Sequence, residues 1–348
     1  MKTKHPMTRF CIICAAVLCA SYCSPEAVET SSDEQFGSNI QDTELQGTQL
    51  QGSNIQGMSM QGFQFAGATL NGAALTNVHI DKGELVADQN QVTLHGALLT
   101  GAHLYAKVQN LTASPSVAAV AEYRITSVVP ETANYDPTNT GSTFLYTLEQ
   151  NVDNNGSWQP ACPADTDGRS VAIPLAATWN AHGDRVESST LFTMGCTTGV
   201  IAKCYRWGYR PWVTGYGDLV ALHWTCTRLA RADYCGNGVS HTRDGTWINV
   251  WDNLPSPGPI QAHGGGLLQL PPDGMTFEAG WSTGGAVCLS HARWTNGGDL
   301  IAQACPDRLI PPSLLGGTVC DLVSQVLGNG STARMFNESN LNLNLDLF

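Results

Sequence analysis

The densest run of chemically capable side chains in the sequence is Arg228, Arg231, Asp233, His241, Arg243 and Asp244. An imidazole oriented by a carboxylate can act as a general base. His241 with Asp233 or Asp244, and Ser240 or Thr242 nearby, is therefore the catalytic reading. The structural reading competes with it and is preferred: Arg and Asp around a helix end and a Gly-rich turn form ion pairs that hold a fold. Gly236-Asn237-Gly238 and Asp244-Gly245 are turn sequences of that kind. Gly238-Val239-Ser240-His241-Thr242 lacks the second glycine of a nucleophile elbow. No His-Glu-x-x-His zinc signature or phosphate loop occurs, and Gly264-Gly265-Gly266 sits in a Pro-rich stretch. No metal or cofactor is expected. A second constellation is aromatic: Trp207, Tyr209 and Trp212 with Arg206 and Arg210. Such residues favour interfaces and can stack on sugars, so they are a candidate binding surface for a protein or glycan. The alternative is that the rings pack against disulfides in the core.

Twelve cysteines are present, four of them (Cys11, Cys14, Cys19, Cys23) in the first 23 residues. The other eight are Cys162, Cys196, Cys204, Cys226, Cys235, Cys288, Cys305 and Cys320. An even set in one half of a chain that begins with an export signal implies a disulfide framework, and about 105 pairings are open. Without a Cys-x-x-Cys pair or interleaved His, zinc is the weaker reading. The export signal is read at residues 1–23. Lys2, Lys4 and Arg9 precede an eleven-residue apolar run, Phe10 to Ala20, too short to span a bilayer, which takes about 20 residues. Ala20-Ser21-Tyr22-Cys23 approximates a lipobox but carries Tyr22 where a small residue is usual. Acylation of Cys23 and ordinary cleavage near Ser21 are both open. The membrane is expected to be touched only through such an anchor, on an outer-membrane lipoprotein or a periplasmic protein; secretion is the other destination. The net charge of −12 becomes −15 once the three cations of residues 1–23 are removed. A net-acidic chain with only 13% charged residues is a poor partner for nucleic acid.

The elements that must position these residues divide the chain. Residues 24–35 read as a Ser/Glu-rich linker. Over 36–106 an apolar residue recurs every fifth position, from Ile40 through Leu50, Met60, Leu70 and Ile80 to Leu85, then out of phase at Leu94, Leu99 and Leu104. Period five is neither helical nor a plain strand, and points to a coil with one pentad per side. Residues 107–155 hold two candidate strands, Ala119 to Val129 and Thr143 to Leu148, read as a β-hairpin. From 156 to 340 Gly and Pro are frequent, and all nine Trp fall between Trp158 and Trp294. One helix stands out near 218–232: Asp218 as N-cap, then Leu219, Leu222, Cys226 and Leu229 on one face.

Two resemblances follow. Thr48-Gln49-Leu50-Gln51-Gly52 and Ser53-Asn54-Ile55-Gln56-Gly57 resemble pentapeptide-repeat proteins, which implies a right-handed quadrilateral β-helix of about three coils. Ala232-Asp233-Tyr234-Cys235-Gly236, with Cys196 to Trp212, Phe277 to Trp281, Gly285 to Cys288 and Cys305-Pro306, resembles the ADYC-domain family of exported bacterial proteins. That likeness spans about residues 140–340 and implies architecture and compartment but no activity. The expected fold is mainly β: the short β-helix, then a disulfide-rich, β-dominated α+β domain. The expected function is an exported, non-catalytic surface or periplasmic protein, with the repeat as spacer and the Cys/Trp-rich domain as binding module. The alternative is an extracellular hydrolase built on Asp233 and His241.

Overall fold

The computed structural model describes residues 48–49, 63–108, 120–131, 143–152, 156–165, 167–180, 182–189, 191–242, 246–254, 260–261, 275–293, 301, 303–306 and 333–339. The expected signal, Cys23, the linker, Arg243, Asp244, Cys320 and most of 36–62 lie outside these residues.

The chain contributes β1 (Thr48–Gln49), β2 (Phe63–Leu70) and the two-residue β3 (Ala73–Ala74), then a meander of β4 (Thr76–Asp81), β5 (Glu84–Gln89) and β6 (Val92–His95). β7 (His103–Val108), β8 (Val120–Pro130), β9 (Phe144–Val152), β10 (Ser157–Pro160) and β11 (Val171–Leu175) follow. A small hairpin of β12 (Ala177–Trp179) and β13 (Arg185–Glu187) leads into β14 (Leu191–Cys196). β9 pairs with both β8 and β11. The antiparallel circuit β9-β11-β14-β2-β7-β8 returns to β9, so six strands close a barrel. Closure removes the sheet edges that would template aggregation, and a barrel this narrow is filled by side chains. Ala68, Leu104, Ile125, Tyr146, Leu148 and Met194 pack in it, and Cys162–Cys196 staples it. Leu75, Leu85 and Ala87 belong to the same core, and the Leu85 amide donates to Tyr146 Oη at 2.9 Å. The meander is thereby fastened to the barrel wall.

After β14 come α1 (Val200–Arg206) and α2 (Leu219–Arg231), joined by Cys204–Cys226. β15 (Trp247–Asp252), β16 (Thr276–Ser282), β17 (Gly285–Leu289) and β18 (Met335–Ser339) form a second antiparallel sheet, in the order β1-β15-β18-β16-β17. The expected helix is present. Asp218 accepts from the Ala221 amide at 3.0 Å, and Leu219, Leu222, Cys226 and Leu229 are all buried, sharing a core with Ile248, Val250, Trp281 and Met335. α1 was not expected. All seven of its residues are buried, so it has no amphipathic stripe to read.

The expected hairpin over 107–155 is present as β8 and β9, as staves of the barrel. Strands from 36–106, 107–155 and 156–340 all lie in that one sheet, so the expected boundaries at 106 and 155 fall inside it. The β-helix expectation needs correction over 63–106, where every pairing is antiparallel. Three two-residue turns with positive φ at both positions reverse the chain: Asn71-Gly72, Lys82-Gly83 and Asn90-Gln91. The period of five survives through bulges. A plain strand would put Phe65 and Leu70 on opposite faces. The extra residue Ala66, inserted between the pairs Phe65↔Ala106 and Gly67↔Tyr105, returns Ala68 and Leu70 to the inner face. A register shift between Thr76 and His79 does the same for Leu75 and Ile80.

Candidate functional site

α2 ends at Ala232, whose backbone is left-handed (φ 51°, ψ 43°) and turns the chain under the second sheet. Asp233 follows with no exposed surface. One carboxylate oxygen accepts from Arg228 Nη1 at 2.5 Å and the Gly238 amide at 2.9 Å; the other accepts from the Asn237 amide at 3.1 Å. The rest of the Arg228 guanidinium donates to Asp184 Oδ1 and to the carbonyls of His182 and Thr283. Tyr234 is buried against Trp281, their ring centres 5.1 Å apart. Its hydroxyl donates to Glu278 Oε1 at 2.9 Å and accepts from the Arg293 amide at 2.8 Å. Arg293 makes a two-pronged pair with Glu278, both bonds 3.0 Å, and donates to the carbonyls of Leu229 and Ala230 at the end of α2. Burial alone would raise the Glu278 carboxyl; the Arg293 charge and its hydrogen bonds carry it below the usual range. Cys235 is bridged to Cys305. Gly236 is at φ 67°, and a Cβ there would collide with the carbonyl of Gly284, so only glycine fits.

His241 stands apart from the Asp233 carboxylate. Its Nδ1 donates to the Ala232 carbonyl at 3.1 Å, and its amide to the Arg231 carbonyl at 3.0 Å. Ser240 Oγ donates to the Arg231 carbonyl, and Thr242 Oγ1 accepts from Arg293. The expected His–carboxylate pair is therefore not assembled between His241 and Asp233; Asp244 lies outside the described residues.

The expected aromatic surface faces inward. Trp207, Tyr209 and Arg210 are each at most 1% exposed, and Trp212 is half-buried. Tyr209 Oη donates to Asp252 at 3.0 Å, Arg210 Nη1 to Thr143 Oγ1 at 3.0 Å, and Arg206 Nε lies 3.0 Å from Glu131. Trp212 stacks on Tyr205 and lies over Gly83, where a Cβ would strike its ring. These residues tie the segment after α1 to the barrel, the meander and the second sheet. Their correction has a simple cause: amphipathic side chains can bury their large apolar bodies in a core as readily as they present them to a partner.

Two features were not visible in the sequence. Ser339 Oγ lies 3.2 Å from His291 Nε2, a hydroxyl–imidazole contact between residues 48 positions apart. Ser339 is fully buried, so no substrate reaches it in this structure. The second is concave. Among the described residues β14 and β2 pair through Leu191↔Gln64 and Phe192↔Phe63. A cavity of about 430 Å³ opens there. Phe65 and Phe192 lie at its base, stacked 4.1 Å apart at 8°, with Val78 and Ile80 of β4 across from Leu191. Ser188, Ser189, Ala176 and His79 complete the lining. Nothing in the local sequence marks this seam. Among the described residues no group of His, Cys, Asp and Glu could hold a metal ion, and no helix is long and apolar enough to cross a membrane.

A family model described as the ADYC domain matches residues 96–295, and one described as pentapeptide repeats (8 copies) matches residues 38–80. Neither the curated proteins nor the solved structures compared with the chain gave a match.

Proposed function

The chain belongs to the ADYC-domain family, and on that premise we propose that it is an exported, non-catalytic binding protein of the cell envelope. The observation that carries the proposal is the state of the cysteines: Cys162, Cys196, Cys204, Cys226, Cys235, Cys288 and Cys305 are all bridged, which fits an oxidising compartment. Residues 1–23 act as the export signal, and attachment through an acylated Cys23 or release by cleavage near Ser21 sets the final location. The linker of residues 24–35 tethers the domain to that point, since β1 within the repeat already pairs with β15. The partner is a protein or a glycan.

The non-catalytic reading is supported by the signature itself. Asp233 is saturated by a guanidinium and two backbone amides, Cys235 is in a disulfide, and His241 is held by a backbone carbonyl. In the expected His–carboxylate pair Nδ1 would face the Asp233 carboxylate; it faces the Ala232 carbonyl instead, so the imidazole has no Asp233 carboxylate behind it. The hydrolase alternative on Asp233 and His241 draws no support from that geometry.

The test is bait capture with the whole chain after residue 23, because a fragment starting at Trp158 would lack β2, β7, β8 and β9. Immobilised under oxidising conditions, it is expected to retain a defined envelope protein or glycan, and to lose it after reduction. Failure to retain any envelope component, together with recovery of the native protein in the cytosolic fraction, would overturn the proposal.

A further inference from the structure

Resting on the binding-protein reading, we infer that the cavity beside the β14–β2 pairing is a binding site for a small, neutral, largely apolar molecule carrying a flat aromatic ring. At about 430 Å³ the cavity falls within the range of about 300–1,000 Å³ usual for small-ligand sites. Its base is the parallel Phe65–Phe192 pair, which a further ring can extend by offset or edge contact. Val78 and Ile80 supply one wall and Leu191 the other. All three are half-buried, so a ligand removes apolar surface from water that the fold leaves exposed.

The charge of the ligand follows from the lining. Among the described residues no Asp, Glu, Lys or Arg contributes to it, and His79 is its titratable group. A carboxylate or ammonium ligand would lose hydration without gaining a permanently charged partner among those residues, which is unfavourable. Hydrogen bonding comes from the hydroxyls of Ser188 and Ser189 and from the imidazole of His79, whose Nδ1 is engaged by the Asn77 carbonyl at 2.7 Å. Ser188 Oγ already accepts from the Leu191 amide at 2.8 Å, fixing the corner of the wall. Ser189 is exposed there. The chemistry that fits is an aromatic body with one or two uncharged polar groups at its outer end.

The experiment uses a matched pair of fluorescent probes on the whole chain after residue 23: neutral N-phenyl-1-naphthylamine, and 1-anilinonaphthalene-8-sulfonate, the same skeleton with a charge. The neutral probe is expected to saturate one site per chain and to bind at least about tenfold more tightly than the sulfonate. Ala176→Trp, on an exposed position of the lining, fills the cavity from outside and is expected to weaken the neutral probe about tenfold or more, with an unchanged circular dichroism spectrum and melting temperature. Ser189→Trp serves the same purpose should the first variant melt early. Equal binding of both probes, or binding unaffected by a folded Trp variant, would overturn the inference. A wild-type chain that binds no neutral probe yet still captures its envelope partner would sink the site alone.

Discussion

Asp233 and its neighbours act on the fold in separable ways, and each can be tested by substitution. Asp233→Asn leaves the buried Arg228 guanidinium without its buried charge partner and dependent on the partly exposed Asp184. Breaking such a pair typically costs about 3–5 kcal/mol, so the urea midpoint should fall steeply. Gly236→Ala adds a collision with the Gly284 carbonyl to a left-handed backbone and should also be severely destabilising. His241→Ala removes one hydrogen bond to the Ala232 carbonyl and should cost about 1 kcal/mol. Equal, mild effects from all three would contradict the structural role of the signature. At this scale much was legible: the pattern of Arg and Asp around a helix end and a Gly turn already favoured ion pairs. The long-range partners were not legible. Asp184, Glu278 and Arg293 are brought in by tertiary folding, and no local spacing announces them.

At the scale of elements, the α1–α2 pair is joined by Cys204–Cys226 and by His223, whose Nε2 donates to the Ile201 carbonyl at 3.0 Å. Burial, with the Arg185 charge adding to it, depresses the imidazole from 6.5 to about 3. The folded state therefore resists protonation where the unfolded chain accepts it. The stability from burying neutral His223 is complete above about pH 6.5 and is lost as pH falls toward 3, at up to about 1.4 kcal/mol per pH unit. Urea unfolding from pH 7 to pH 4 should show that slope, and His223→Leu should flatten it; an unchanged slope in the variant would contradict the assignment. α2 was readable because it has a cap, a stripe and an end. α1, buried all round, was not. The period-five segment shows a different failure. Among the described residues its apolar positions Leu70, Leu75, Leu85, Leu99 and Leu104 are buried, but Asn71-Gly72, a strong hairpin signal, outweighs the repeat and reverses the strand.

For the whole molecule, the consequence is that the repeat segment and the family domain share one sheet. The ADYC match begins at residue 96, after β2, yet β2 closes the barrel between β14 and β7. A chain starting at residue 96 would expose both of those edges and is expected to aggregate or melt without cooperativity, while one starting ahead of β2 folds. Calorimetry on the two fragments checks this; a cooperative transition in the shorter one would contradict it. Cysteine parity made the disulfide framework legible, but the pairing needed the fold: Cys235 and Cys305 are 70 residues apart. The account as a whole rests on an exported, fully bridged chain. Its most direct test is the intact mass of the protein recovered from its native host, with thiol alkylation before and after reduction. The prediction is a chain shortened by its first 20 or so residues, in which the eight cysteines from Cys162 to Cys320 are not alkylated until reduction opens them. A full-length chain whose cysteines alkylate without reductant would contradict it.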